Sequence, residues 1–463
     1  MIPSLDPARV SGRARKSARN GDFVYEASES PIAGERKHWC GYLNAFMTLL
    51  IPAVFNLTIA DMGRKYPAKY REPIEAELRT IHEKKVAYPI KKPLRGLKHS
   101  KILHVKGFGR EVLDPITGEM VKLKFRLVPG GHMTNSDAYT ASDRSSPTVS
   151  MESVFMACNA AAYEQYQGFT MDIPGAYLNA ELKDPHMVRL PRDITAILCE
   201  MYPETYAEYV QPDGTLLLLV TKAWYGLPES SKLWYDHISQ FLFDRGFTNS
   251  PLEPAMFIKG EGDSRVVLLL WVDDFLGFAA SRKDIDELRD AIEARFGGSR
   301  FKDGRELPFL GMTISQPTRR GEIFIKMTEY TKRIVEKSGV TGTSDTPYHR
   351  YLHSPKPHGK AYAVDKSEFL SLLMSAMYLG KRTRPEILIA LRLLGSRVEN
   401  PDNFDLMCLH KVYKYLACTL DYGLRFKPNT MTLQYWVDAA YGTHADVNLL
   451  WFSQVLGFFW GMH

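Results

Sequence analysis

The spacing of apolar residues divides the chain into elements before any side-chain chemistry is considered. Ile74, Leu78 and Ile81 recur at helical intervals and predict a helix over 72–85. Similar periodicity predicts helices over 150–162, 229–245, 284–296 and 328–338, and further helical segments over 366–398 and 404–420. Continuous or alternating apolar runs predict strands at 121–128, 169–173, 216–221, 256–259, 309–315, 322–327 and 433–441. Pro115 to Glu119 (PITGE) predicts a turn, and Pro174-Gly175 a break before a helix starting over 176–182. The most distinctive pattern is Arg265 to Ala280 (RVVLLLWVDDFLGFAA), two apolar runs around adjacent aspartates. Read as a hairpin, it sets Asp273 and Asp274 at its tip, on the edge of a hydrophobic layer. Such a pair is either an ordinary solvated turn or a cation site, because two adjacent carboxylates repel unless neutralised.

Composition narrows the class only modestly. The 463 residues are 45% hydrophobic and 24% charged, as in an ordinary globular protein, with a formal net charge of +6 that permits a polyanionic partner. Lys91 to Arg110 holds seven Lys or Arg and no acid, and reads as a solvated face or a surface for phosphates. Cys40, Cys158, Cys199, Cys408 and Cys418 form no C-x-x-C pair, which points to a reducing, intracellular setting and away from a zinc ribbon. No secretory signal opens the chain, and residues 1–60 read as a disordered or remnant leader. Trp39 to Ala60 is apolar but interrupted by Asn44, Thr48, Pro52 and Asn56, so no membrane partner is expected. The prolines of 341–360 predict a linker between a body over 61–340 and a helical segment over 361–430.

Asp172 ends a second apolar strand, as Asp273 does. Neighbouring strands could gather Asp172, Asp273 and Asp274 around two metal ions, an arrangement suited to in-line phosphoryl displacement.

These residues, with others in order, resemble the reverse transcriptases of copia-type LTR retrotransposons. Lys122 to His132 (KLKFRLVPGGH) is similar to the fingers motif, and Ser145 to Val149 (SSPTV) to the segment after it. Asp172 to Leu182 (DIPGAYLNAEL), Lys222 to Tyr235 (KAWYGLPESSKLWY) and Trp271 to Asp274 (WVDD) resemble successive blocks of the active site. Phe309 to Met312 (FLGM) resembles the primer-gripping strand, while Met377 to Pro385 and Tyr413 to Leu424 resemble the connection before an RNase H domain.

The resemblance implies an α+β right-hand polymerase, with fingers, a palm built on an antiparallel sheet and a thumb, followed by a helical connection. It implies Mg²⁺ (two ions, or Mn²⁺) held by Asp172, Asp273 and the Ile173 carbonyl, with Asp274 as a supporting carboxylate. Lys124 and Arg126 would hold a deoxynucleoside triphosphate, Tyr177 would exclude a 2′-hydroxyl, and Gly226 to Ser230, including Glu229, would lie beneath the nucleotide. Trp271, Val272, Gly311, Lys332 and Arg333 would meet an RNA or DNA template-primer duplex.

Three positions depart from the pattern: Trp271 where Tyr or His is usual, Gly130 where many relatives have Lys, and Glu229 where many have Gln. Tyr435 to Asp446 resembles the opening of an RNase H domain, with Asp438 its first metal ligand. Leu449 to His463 is an apolar tail without acidic side chains, so over 431–463 a truncated domain without RNase H activity is expected. A catalytically silent relic that at most binds nucleic acid is the alternative reading.

Overall fold

The structure is a computed structural model, and the residues described are 57–113, 120–134, 139–317, 321–352, 362–430, 436–440 and 453–457. The leader through residue 56, the turn at 115–119, most of the apolar tail and the second half of the 341–360 linker lie outside these residues. Strands are numbered in chain order.

A long apolar run with no polar face has to become a central strand, and β9 (Val266–Trp271) is buried along all but its last residue. Beside it, β10 (Asp274–Ala279) returns antiparallel, and β4 (Gln167–Asp172) pairs antiparallel on the far side of β10. Together with β7 (Thr248–Ser250), β8 (Glu253–Lys259) and β11 (Arg300–Asp303) they form a six-stranded antiparallel sheet, ordered β11-β4-β10-β9-β8-β7. Gly277 of β10 lies opposite Phe169 of β4, and a Cβ at Gly277 would sit 2.1 Å from that ring. Glycine is therefore needed for the two strands to approach.

Helix Met151–Tyr163 packs on this sheet. Its N-cap Ser150 and its Ser153 both donate hydroxyls to Glu253 Oε2 (2.7 and 2.6 Å), so a β8 carboxylate sits at the positive end of the helix. Helices Ser230–Phe243 and Arg282–Phe296 add Trp234, Ile238, Ile285 and Ile292 to the same core.

A five-stranded sheet, ordered β1-β6-β5-β2-β3, has a separate core. It comprises β1 (Ala87–Pro89), β2 (His99–Leu113), β3 (Met120–Pro129), β5 (Glu181–Leu190) and β6 (Leu216–Lys222), covered by helices Arg71–Glu83 and Arg192–Met201. Its pairs are antiparallel except β2 with β5. The end of β3 touches the loop before helix Ser230–Phe243 backbone to backbone: a Cβ on Gly131 would lie 1.9 Å from the Gly226 carbonyl oxygen.

The third sheet joins β12 (Glu306–Phe309), β13 (Met312–Ser315), β14 (Ile323–Lys326) and β15 (Gly423–Phe426). Buried Gln316 ties it to the six-stranded sheet, accepting from Gly168 N (2.9 Å) and donating to Tyr166 O (3.0 Å). Helices Thr328–Lys337, Lys366–Gly380, Leu388–Gly395 and Asn403–Cys418 share the core that β9 and β10 begin, so hydrophobic packing continues across 341–360.

Three local expectations are corrected. The run 309–315 is two strands, because Leu310 (φ 50°) and Gly311 (φ 77°) form a two-residue hairpin loop. Residues 176–179 make one 3₁₀ turn, closed by Asn179 Nδ2 donating to the Gly175 and Ala176 carbonyls, before β5 begins. The helical run 366–398 is broken after Gly380, where Pro385 pushes Arg384 out of the α region (φ −131°, ψ 61°). Farther on, β16 (Trp436–Ala440) appears as expected, and β17 (Ser453–Gly457), within the apolar tail, pairs with it antiparallel.

Replacing Gly277 with Ala should destabilise the protein by about 1–3 kcal/mol through overpacking against Phe169. Urea denaturation measures this, and an unchanged midpoint would contradict the close β4–β10 approach.

Candidate active site

Each of β4, β10 and β9 is buried throughout except at one end, where Asp172, Asp274 and Trp271 are half-buried. Register aligns these ends. Asp274 is the cross-strand partner of both Asp172 and Trp271, and Arg300 of β11 is the partner of Asp172. Directly paired side chains share a face of the sheet, so Arg300, Asp172, Asp274 and Trp271 form one lateral row. Asp273 stands at the tip between β9 and β10, and its carbonyl accepts from Ile173 N (3.3 Å), joining the tip to the end of β4.

The tip is strained. Val272 has φ 60°, a left-handed conformation that a β-branched residue rarely adopts and that costs on the order of 1–3 kcal/mol. The buried Trp234 indole holds it by donating Nε1–H to the Val272 carbonyl (2.6 Å). Helix Ser230–Phe243 thus sets the direction of Asp273.

Two of these carboxylates are harder to ionise than usual. Burial first, then Asp273 and Asp172, pushes Asp274 up to about 6 from an ordinary 3.8. Burial likewise raises Asp273, against the hydrogen bond that Tyr225 OH donates to its Oδ2 (3.2 Å). Asp172 is neutralised by Arg300, whose Nη1 donates to its Oδ2 (2.9 Å). An all-oxygen donor set whose repulsion is only partly relieved fits a hard divalent cation.

Other predicted residues gather around these acids. The half-buried Tyr177 ring packs 4.4 Å from Tyr225, and its hydroxyl is pushed up to about 12 by burial and Asp273. Arg126 lies 5.6 Å over the Tyr225 ring and donates to Glu77 Oε2 (3.0 Å). Burial, then Arg300 and Arg126, lowers Lys124, while Asp172 opposes the shift. Tyr225, Arg300, Glu77 and Trp234 escaped sequence reasoning. Tyr225 and Trp234 alone had a local signal, their place in the Lys222 to Tyr235 block.

Four expected residues stand elsewhere. Glu229 turns its carboxylate to His186 Nε2 (2.7 Å) and away from the aspartates. It directly precedes helix Ser230–Phe243, where Ser230 Oγ donates to the Trp224 carbonyl (2.8 Å), and this turn aims it at β5. Gly311 occupies the β12–β13 loop, next to Leu310, whose carbonyl accepts from Tyr378 OH (3.3 Å). Lys332 pairs with Glu329 (2.8 Å) and Arg333 lies over Tyr330 (5.3 Å), both on the exposed face of helix Thr328–Lys337. In the basic stretch, Lys91 and Lys98 pair with Glu208 and Asp184, while Lys101, Lys106 and Arg110 are exposed.

Residues 114–349, which carry Lys124, Arg126, Asp172, Tyr177, Tyr225, Asp273, Asp274 and Arg300, match the model of the family described as reverse transcriptase (RNA-dependent DNA polymerase). The chain belongs to that family. Within it, the chain is a copia-type reverse transcriptase region, similar to polyproteins and proteins of copia-type transposons. It is 24% identical over 335 residues to the retrovirus-related Pol polyprotein from transposon RE2 of Arabidopsis thaliana, covering 71% of this chain and 21% of that one. Against the corresponding polyprotein from transposon TNT 1-94 of Nicotiana tabacum it is 23% identical over 337 residues, 69% of this chain and 24% of the other. The transposon Ty5-1 protein YCL074W of Saccharomyces cerevisiae is 24% identical over 284 residues, 60% of this chain and 85% of that protein. The chain therefore spans about a fifth of the first of these relatives. Reverse transcriptases in general use divalent metal ions, which agrees with the donor set. Among the described residues no helix is long and apolar enough to cross a membrane.

The raised Asp274 predicts a pH effect whose sign is fixed by linkage. Between pH 3.8 and about 6 the folded metal-free protein holds a proton that the unfolded chain has released, so stability falls as pH rises through that window. In chelator, wild type should lose stability relative to Asp274→Asn from pH 4 to pH 6.5. Parallel urea midpoints across that range would contradict the assignment.

Proposed function

We propose that this chain is an RNA-directed DNA polymerase: the 3′-hydroxyl of a primer attacks the α-phosphate of a deoxynucleoside triphosphate, and pyrophosphate leaves. The reading is supported above all by Asp172, Asp273 and Asp274 meeting at the one end where the buried strands β4, β9 and β10 reach solvent. The β1-β6-β5-β2-β3 sheet would be the fingers and the six-stranded sheet the palm. The third sheet with helix Thr328–Lys337 would be the thumb, and the helices beyond 361 the connection.

Asp172, Asp273 and the Ile173 carbonyl would hold two Mg²⁺ ions, with Asp274 supporting them. The ions would supply a lowered pKa for the attacking hydroxyl and neutralise charge developing on phosphate.

The chain's own residues supply the rest. Lys124 and Arg126 present cations on one face of β3, beside the acids, where a triphosphate needs them. Tyr225 orients Asp273 by its hydrogen bond and carries Tyr177 against its ring. Held there, Tyr177 would meet the sugar and exclude a 2′-hydroxyl by bulk. Trp271 and Val272 would contact the primer end, Gly311 would let the β12–β13 loop approach it, and Lys332 and Arg333 would meet duplex phosphates.

With a primed RNA template, Mg²⁺ and deoxynucleotides, the chain should extend the primer, and Asp273→Asn should reduce extension by at least about 100-fold. Extension no greater than that of the variant would overturn the reading. Tyr177→Val should raise ribonucleotide incorporation by roughly 100-fold relative to deoxynucleotides, measured as a ratio of kcat/KM values. Unchanged discrimination in an active variant would remove Tyr177 from that role.

A further inference from the structure

His99 and His186 are cross-strand partners in the parallel β2–β5 pair. Their side chains share a face, and the two rings stack with centroids 4.1 Å apart and planes 9° apart. Glu229 reaches the same point from the start of helix Ser230–Phe243, with Oε1 2.7 Å from His186 Nε2. Tyr139 closes the group, its hydroxyl 3.2 Å from His186 Nε2 and 3.5 Å from His99 Nε2.

We propose that His99, His186 and Glu229 form a second metal site, distinct from the aspartates, that takes a zinc-type transition-metal ion. One ligand atom from each of the three lies within 4.8 Å of the others. A tetrahedral ion with bonds of about 2.0 Å sets its donors about 3.3 Å apart, so closure needs side-chain shifts of about an ångström. Two imidazoles and one carboxylate, with a fourth position left for water or the Tyr139 hydroxyl, suit Zn²⁺ and not Mg²⁺.

An unpartnered acceptor inside the pocket points to an ion. Both histidines are buried, and among the described residues the one ion-pair partner of Glu229 is His186. Glu229 Oε1 is engaged by His186 Nε2 (2.7 Å), whereas the buried Oε2 has no hydrogen-bond partner and is left as an acceptor for an ion. A cavity of about 370 Å³, whose lining includes Lys98, Lys101, Met133, Thr134 and the two histidines, opens on the two rings and gives an ion a way in.

The ion would be structural. It would staple β2 and β5, from one hydrophobic core, to the helix whose Trp234, in the other core, holds the Val272 carbonyl.

The test uses the full chain, stripped with chelator and dialysed against micromolar Zn²⁺ or Co²⁺. Elemental analysis should find one equivalent of zinc, and the cobalt form should show tetrahedral d–d bands without thiolate charge-transfer bands. His99→Ala and Glu229→Gln should each weaken zinc binding at least about tenfold, whereas Asp273→Asn should retain it. Glu229→Gln keeps the size and one hydrogen bond of the side chain, so zinc loss with an unchanged circular dichroism spectrum would support the site directly. No bound zinc, equal retention in both pocket variants, thiolate bands, or loss only in Asp273→Asn would each overturn it.

Discussion

Mutual repulsion among Asp172, Asp273 and Asp274 is the constraint around which the rest of the structure is arranged. Strand register makes Asp172 and Asp274 neighbours, and the hairpin tip brings Asp273 beside them. Left alone, such a group would relax toward solvent or take up protons. Here the strands are buried up to their last residues, so the acids cannot withdraw. Burial first, with this repulsion added, raises Asp274 and Asp273, and Arg300 and Tyr225 partly relieve the group.

The supporting contacts follow from this. A strained Val272 aims the tip, and it persists because Trp234 is fixed in a packed helix and donates to its carbonyl. That helix begins at the loop carrying Tyr225, Gly226 and Glu229, and the loop is pressed against the end of β3 at Gly131. Placement of the cationic strand, the tyrosines and the acids is thus one connected problem, with the backbone contact between Gly131 and Gly226 as its hinge point. A metal ion at His99, His186 and Glu229 would act on the same loop through Glu229.

The chain's two hydrophobic cores meet at this loop. Leu227 belongs to the core of the five-stranded sheet, and Trp234, seven residues on, to the core of the six-stranded one. The helices after 361 add to the second core and send β15 back to pair with β14. Packing across 341–360 explains why a proline-rich stretch that reads as a linker joins parts of one body.

Much was legible in the sequence because it depends on local pattern. The all-apolar run of β9, the aspartates ending β4 and beginning β10, the amphipathic helices and the reverse transcriptase blocks are each contained in short segments. Boundaries failed where a single residue outweighed periodicity, as with Leu310-Gly311 at a tight loop, Asn179 closing a turn and Pro385 ending a helix. What only the tertiary structure decided were long-range partners: Arg300 on Asp172, Tyr225 on Asp273, Glu77 on Arg126, Trp234 on Val272, and Glu229 turned toward His186. None of these pairs has a spacing to read, because strand register and packing bring together residues 38 to 128 positions apart. Sequence alone determined the strands, the helices and the family blocks; the fold determined which side chains face one another, since a contact energy depends on distance in space and not along the chain.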